Sequence, residues 1–145
     1  MIHQPTGRFD DEAGLWVLER DWCVDLADGS ALVVLEGFAS DGASIPRLLW
    51  PLVGPRYAPR TFPAAFAHDA LYASELLPRR QADDEFRLLL VLTGVSRFAA
   101  RAYWCGVRAF GWAVWRRHTL TSVTAARLQV AVVQPVALRG DEDLP

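Results

Sequence analysis

The feature that most constrains this chain is a helical hairpin encoded in residues 61–93. Two stretches of helical composition are separated only by Leu77-Pro78, and a break that short makes the two helices pack antiparallel. Thr61 can cap the first helix and Pro63 suits an early helical position, so this helix is expected to run to about Leu76. Pro78 opens the second, which is expected to run to about Thr93 and to stop at Gly94. The first helix carries His68, Asp69 and Tyr72, and the second carries Asp83. His68 lies about nine residues before the turn and Asp83 about six after it. At roughly 1.5 Å per residue these are depths of about 13 and 9 Å, so the two side chains can meet across the helix interface.

Around the hairpin, the pattern predicts an α+β fold. Residues 14–26 mix apolar and charged side chains in rough alternation, as a half-buried strand does. Ala27-Asp28-Gly29-Ser30 reads as a turn and residues 31–36 as a second strand, giving an N-terminal β-hairpin over 1–36. Residues 37–60 are rich in Gly and Pro and are expected to form a loop with a short helical turn near Arg47–Trp50. A loop this long inside a compact domain is usually functional. A third helix is expected from about Ser96 to Arg117, closing a three-helix bundle over 61–117. The remaining 118–145 should hold a strand over 128–138, kept at a sheet edge by Pro135, and a loose tail. With 145 residues, 52% of them hydrophobic, the whole chain is expected to fold as a single domain around one core.

Composition excludes some functions. No run of 18 uninterrupted apolar residues is present, so no transmembrane segment is expected. Met1-Ile2-His3-Gln4-Pro5 lack the charged and apolar regions of a signal peptide, so nothing here is expected to direct the chain through a secretory membrane. Cys23 and Cys105 have neither a disulfide framework nor metal-ligand spacing, and are expected to be buried free thiols. The net charge of −2 is unevenly spread: residues 1–46 carry nine acids and two Arg, and residues 86–140 carry eight Arg and no acid. The two ends can face each other across the fold, or the basic half can meet an anionic partner. On the third helix, Ala99, Ala102, Tyr103, Gly106, Val107, Phe110, Ala113 and Val114 form an apolar side suited to the core. Arg97, Arg101, Trp104, Arg108 and Trp115 form the other side, which suits phosphate head groups at a lipid or membrane surface, or a neighbouring protein. Packing of the Trp rings beneath Arg is the plainer reading of that face, Arg108 can instead pair with an acid of the N-terminal β-hairpin, and nucleic acid is the least supported partner.

The acidic site has a direct chemical use. A carboxylate such as Asp83 that accepts the N–H of His68 fixes the tautomer of the imidazole and raises its basicity, and the other ring nitrogen can then take a proton from water. Tyr72, four residues on, shares the His68 face and can hold Asp83 in place. Asp69, about 100° round the helix, can hold a divalent cation, with Asp41 as a further ligand. The alternative is purely structural: a His-Asp pair between helices also satisfies buried polar groups. Ser44 can be read as a nucleophile next to His68, but capping the short helix after Pro46 is the simpler role.

Two resemblances bear on these residues. Gly37-Phe38-Ala39-Ser40-Asp41-Gly42-Ala43-Ser44-Ile45-Pro46, Leu49-Trp50, Gly54-Pro55, Ala67-His68-Asp69-Ala70-Leu71-Tyr72, Ala82-Asp83 with Phe86, and Val107-Arg108 followed by Gly111 together resemble a family of unknown function common in tailed-phage and prophage genomes. That resemblance implies a phage-linked origin and names no reaction. The His-Asp-x-x-Tyr and Ala-Asp-x-x-Phe segments also resemble the core of phospholipase A₂, above all the short form in parvovirus capsids. This likeness implies His68 as general base, Asp83 as the acid supporting it, Tyr72 as the supporting tyrosine, Asp69 as a calcium ligand and Gly54-Pro55 near a calcium loop. The chain departs from it where Arg56-Tyr57 follows instead of a second glycine, and in lacking the bracing cysteines.

The expected function is therefore a small phage-type hydrolase with a His68/Asp83/Tyr72 site, acting on an ester or phosphoester with calcium as the first candidate cation. The rival expectation is a non-enzymatic virion, tail or assembly component. It would use the Arg/Trp helix to dock on phage structural proteins.

Overall fold

A computed structural model describes residues 2–40 and 58–135. The architecture is α+β. Among these residues there are six strands, β1 (Gly7–Asp10), β2 (Leu15–Leu18), β3 (Trp22–Asp25), β4 (Ala31–Val34), β5 (Ala39–Ser40) and β6 (Val130–Val133). Four helices accompany them, α1 (Phe62–Ser74), α2 (Arg79–Leu92), α3 (Arg97–Trp115) and α4 (Leu120–Arg127).

The strands form two antiparallel sheets, ordered β1-β2-β5 and β3-β4-β6. The single strand expected over 14–26 is thus two strands in different sheets. Three successive charged residues, Glu19-Arg20-Asp21, interrupt the alternation. Asp21 turns its carboxylate to accept the Glu36 backbone N–H at 2.8 Å instead of continuing the ladder. The β3–β4 hairpin forms across the anticipated turn, with Trp22 opposite Val34 and Val24 opposite Leu32. Its inward residues are buried and the outward ones are not, which places Cys23 on the solvent side. Cys105 is exposed as well, so both thiols are free but neither is buried as expected. β6 lies at the edge of its sheet, beside β4, as Pro135 requires.

Helix α1 starts and stops where its signals place it. Pro63 sits in the first turn, and Glu75 ends the helix in a left-handed conformation (φ 48°) with its N–H on Leu71 O. Thr61 occupies the cap position, but its hydroxyl donates to Ala58 O rather than capping the helix. The sequence of α1, FPAAFAHDALYAS, is apolar on nearly every side, and the helix is buried on nearly every side. Phe66 is its hub, fully buried and edge-on to Trp16 of β2, Trp22 of β3 and Phe38, with ring centroids 5.2–5.6 Å away. Both sheets therefore pack on one helix, and α2 and α4 cover other parts of it.

Helix α3 departs from its expected orientation. The buried stripe is Ala100, Tyr103 and Gly111, with Val107 and Trp115 partly buried. Phe110 and Val114 face outward, at 55% and 37% exposure. Both apolar candidates share the helix with the small residues, and it is Gly111 and Ala100 that allow close approach to the neighbouring helices. Helix α4 was not anticipated, because its Thr and Ser content reads as strand or loop. It is nucleated by a reciprocal capping box in which Thr119 Oγ1 accepts from Ser122 N and Ser122 Oγ accepts from Thr119 N. It is anchored by Arg127, whose guanidinium donates to the carbonyls of Ser74 (2.7 Å) and Glu75 (3.2 Å) at the end of α1.

Phe66→Ala should cost about 3–5 kcal/mol of unfolding free energy, since it leaves a cavity where both sheets meet α1. Chemical denaturation of the variant beside the parent protein checks this.

Candidate active site

Asp83 of α2 is fully buried, and four other side chains converge on it. His68 Nε2 lies 2.9 Å and the Tyr72 hydroxyl 2.5 Å from Oδ1, both reaching from α1. Arg108 of α3 donates to Oδ2 at 2.8 Å, and Arg79, one turn before Asp83 on α2, is 3.7 Å from the same oxygen. The expected meeting of His68 and Asp83 across the hairpin is present, and so is the Tyr72 bond. Burying a carboxylate costs several kcal/mol, and charge-assisted hydrogen bonds contribute about 1.5–3 kcal/mol each, so three such bonds match a penalty of that size.

These contacts set the protonation states. Burial presses the Asp83 carboxyl upward, but the hydrogen bonds from His68, Tyr72 and Arg108 together hold it below the ordinary carboxylate value. Asp83 is therefore an anion that can only accept. Burial also lowers His68, and this outweighs the pull of the Asp83 charge in the other direction. A neutral imidazole facing a carboxylate must donate from Nε2, which leaves the lone pair on Nδ1. Among the described residues nothing hydrogen-bonds to Nδ1. The Tyr72 hydroxyl is pushed well above its ordinary value, first by burial and then by its bond to Asp83, so it remains a proton donor to that carboxylate.

Packing fixes the orientation of the ring. The His68 imidazole stacks at a tilt between Tyr72 and Phe86, with centroids 4.1 and 4.8 Å away, and the Trp115 ring stands edge-on to Tyr72 at 5.1 Å. Gly111 makes room for the Tyr72 hydroxyl: a Cβ there would lie 2.5 Å from it. Trp115 and Arg108, expected on an exposed Arg/Trp face, thus belong to the site. Arg108 pairs with Asp83 and not with an acid of the N-terminal β-hairpin. Trp104, also expected on that face, donates its indole N–H to Asp84 at 2.9 Å.

Asp69 points elsewhere. It is partly buried and accepts a short hydrogen bond from Ser40, the last residue of β5. The end of β5 thus lies beside the helix that holds His68. Asp41, Ser44, Trp50 and Gly54-Pro55 lie outside the described residues. Among the described residues no group of three or more His, Cys, Asp or Glu side chains is placed to hold a metal ion.

Sequence reasoning missed four contributors to this arrangement: Ser40, Arg79, and the partners found by Arg108 and Gly111. Arg79 was legible from its spacing, since a cation four residues from an acid shares its helix face. Arg108 and Gly111 were visible as part of a motif, but their partners depend on which face of α3 turns inward.

A family model covers residues 16–107, more than half of the chain, and its description is "Protein of unknown function (DUF1353)". The chain belongs to this family. The matched stretch of the DUF1353 protein includes His68, Asp69, Tyr72 and Asp83, and stops one residue before Arg108. No curated protein and no solved structure matches the chain.

Gly111→Ala should drive the Tyr72 hydroxyl off Asp83 and destabilise the fold, whereas in a Tyr72→Phe background the added methyl meets only ring carbons, 3.3 Å away. The two substitutions are therefore expected to be coupled by about 0.5–3 kcal/mol, with the double variant more stable than the sum of the single changes implies. A double-mutant cycle by denaturant titration measures this.

Proposed function

We propose that this DUF1353 protein is a hydrolase of an ester or phosphoester, with His68 as general base, Asp83 and Tyr72 as its positioning residues, and Arg108 as the group that keeps Asp83 ionised. The observation that carries the proposal is the neutral imidazole with one nitrogen committed to a buried carboxylate and the other unbonded among the described residues. A structural His-Asp pair needs only the first of these features. The setting also supports the reading, because His68 and Asp69 interrupt a helix that is otherwise almost wholly apolar and buried.

In this mechanism His68 Nδ1 takes a proton from water as the water oxygen attacks the carbonyl or phosphoryl centre. Asp83 stabilises the imidazolium that forms, and the imidazolium returns the proton to the departing alkoxide. The arrangement agrees with the roles implied by the likeness to phospholipase A₂. Asp69, joined by Asp41, is the proposed holder of a divalent cation, calcium first, which would supply polarisation of the substrate oxygen when bound. We place the reaction in a phage-linked setting, in the host cytoplasm or the particle.

A second reading has its own support. Phe98 and Trp112, which share one face of α3, are 82% and 51% exposed, more apolar surface than one helix of an isolated small protein needs. On that reading the protein is a virion or assembly component that docks through this outer face of α3, and the buried acid cluster only orders the helices.

Hydrolysis of chromogenic carboxylic and phosphoric esters and of phosphatidylcholine separates the two. His68→Ala should lower kcat/KM by about 10²–10⁴-fold while circular dichroism stays unchanged. A variant with full activity on a substrate the parent protein cleaves would sink the assignment. Because the active form of His68 is deprotonated and burial lowers its pKa, kcat/KM should fall on acidification with an inflection below 6.5. Chelation should abolish the reaction and calcium restore it, with Asp69→Asn needing more calcium than the parent protein.

A further inference from the structure

Between α2 and α3 lies a cavity of about 360 Å³. Arg80, Asp84 and Arg87 line it from one stripe of α2, and Arg101 and Trp104, one turn apart, line it from α3. Three guanidinium groups face one carboxylate, so the lining is cationic.

That carboxylate is already engaged. Asp84 Oδ1 accepts the Trp104 indole N–H at 2.9 Å, and its other oxygen lies 4.0 Å from Arg80. The indole bond holds Asp84 in place, away from the remaining arginines. Among the described residues Arg87 and Arg101 have no carboxylate within 4.0 Å. Arg87 Nε is buried and has no hydrogen-bond partner among the described residues. A buried donor left unpaired costs about 1–3 kcal/mol, more when charged, and such a group calls for a partner.

We propose that this groove is a binding site for a phosphate oxyanion. An oxyanion seated between Arg87 and Arg101 accepts the terminal N–H groups of the guanidinium forks on either side. Guanidinium suits phosphate because its parallel N–H groups match two phosphate oxygens. Excess positive charge in the lining favours a dianion. The same phosphate chemistry has two sources, a free phosphate compound or a lipid head group. Phe98, one turn before Arg101, is among the most exposed apolar side chains; a head group would bring it against acyl chains, and a free phosphate would leave it in water. None of the groove residues belongs to the His68–Asp83 network, so this site stands or falls apart from the proposed hydrolysis.

The test uses the full chain at low ionic strength. Calorimetric titration with inorganic phosphate is run beside co-sedimentation with vesicles of phosphatidylcholine and phosphatidylglycerol, for the parent protein and for Arg87→Gln, Arg101→Gln and Arg20→Gln. Arg101 and Arg20 are both exposed, so their substitutions leave the fold intact if Arg87→Gln does not. The expected result is saturable binding of at least one probe, weakened about tenfold or more by Arg87→Gln or Arg101→Gln and unchanged by Arg20→Gln. Binding of phosphate alone identifies a free ligand, and vesicle binding that needs Arg101 identifies a head group. Absence of binding to both probes, or an equal loss in Arg20→Gln, overturns the site.

Discussion

The fold is organised around the buried negative charge of Asp83. Asp83 cannot stay ionised in the interior unless donors surround it, and those donors come from separate helices: His68 and Tyr72 from α1, Arg108 from α3, Arg79 from its own helix. The bonds from His68, Tyr72 and Arg108 therefore also fix one helix against another. Loss of any donor removes an attraction and, in addition, exposes the charge to the penalty the others were balancing, which is why such clusters respond to substitution more sharply than surface ion pairs.

The same economy links the site to the sheets. α1 is the helix on which both sheets pack through Phe66, and it is also the helix that presents His68 and Asp69. A shift of α1 to relieve strain in the aromatic core would move the imbalance straight to the imidazole. On the other side, Glu85 of α2 is buried and accepts the Ala27 backbone N–H at the β3–β4 turn, with burial pushing its carboxyl up and that bond partly offsetting it. The strand layer and the acid cluster thus share the helices that position them, so stability and any chemistry at His68 are not independent quantities.

How much of this was legible in the sequence differed by element. The hairpin of α1 and α2 could be read because Pro63, Pro78 and Gly94 mark its ends and because depth along a helix follows from residue number alone. The meeting of His68, Tyr72 and Asp83 came with it. The strands were read less well, since Glu19-Arg20-Asp21 resembles the polar half of an alternating strand and marks a change of sheet instead. Facing on α3 was misjudged because Phe110 and Val114 are more apolar than Gly111 and Ala100, whereas close helix contact rewards small size. α4 escaped notice because Thr119 and Ser122 read as loop residues until they are seen to cap each other. Cys23 and Cys105 were placed inside on residue type, and strand register and helix facing put both outside.

One consequence follows from the way Arg127 closes the molecule. It reaches back more than fifty positions to the last carbonyls of α1, and β6, just beyond it, completes the sheet on β4. Arg108 and Gly111, which complete the surroundings of Asp83 and Tyr72, also follow the stretch shared with the family. A fragment trimmed to the shared stretch would keep the acid and the imidazole while discarding their counter-charge, their spacing and the clasp on the central helix. The smallest portion able to show what these residues do extends through the last strand.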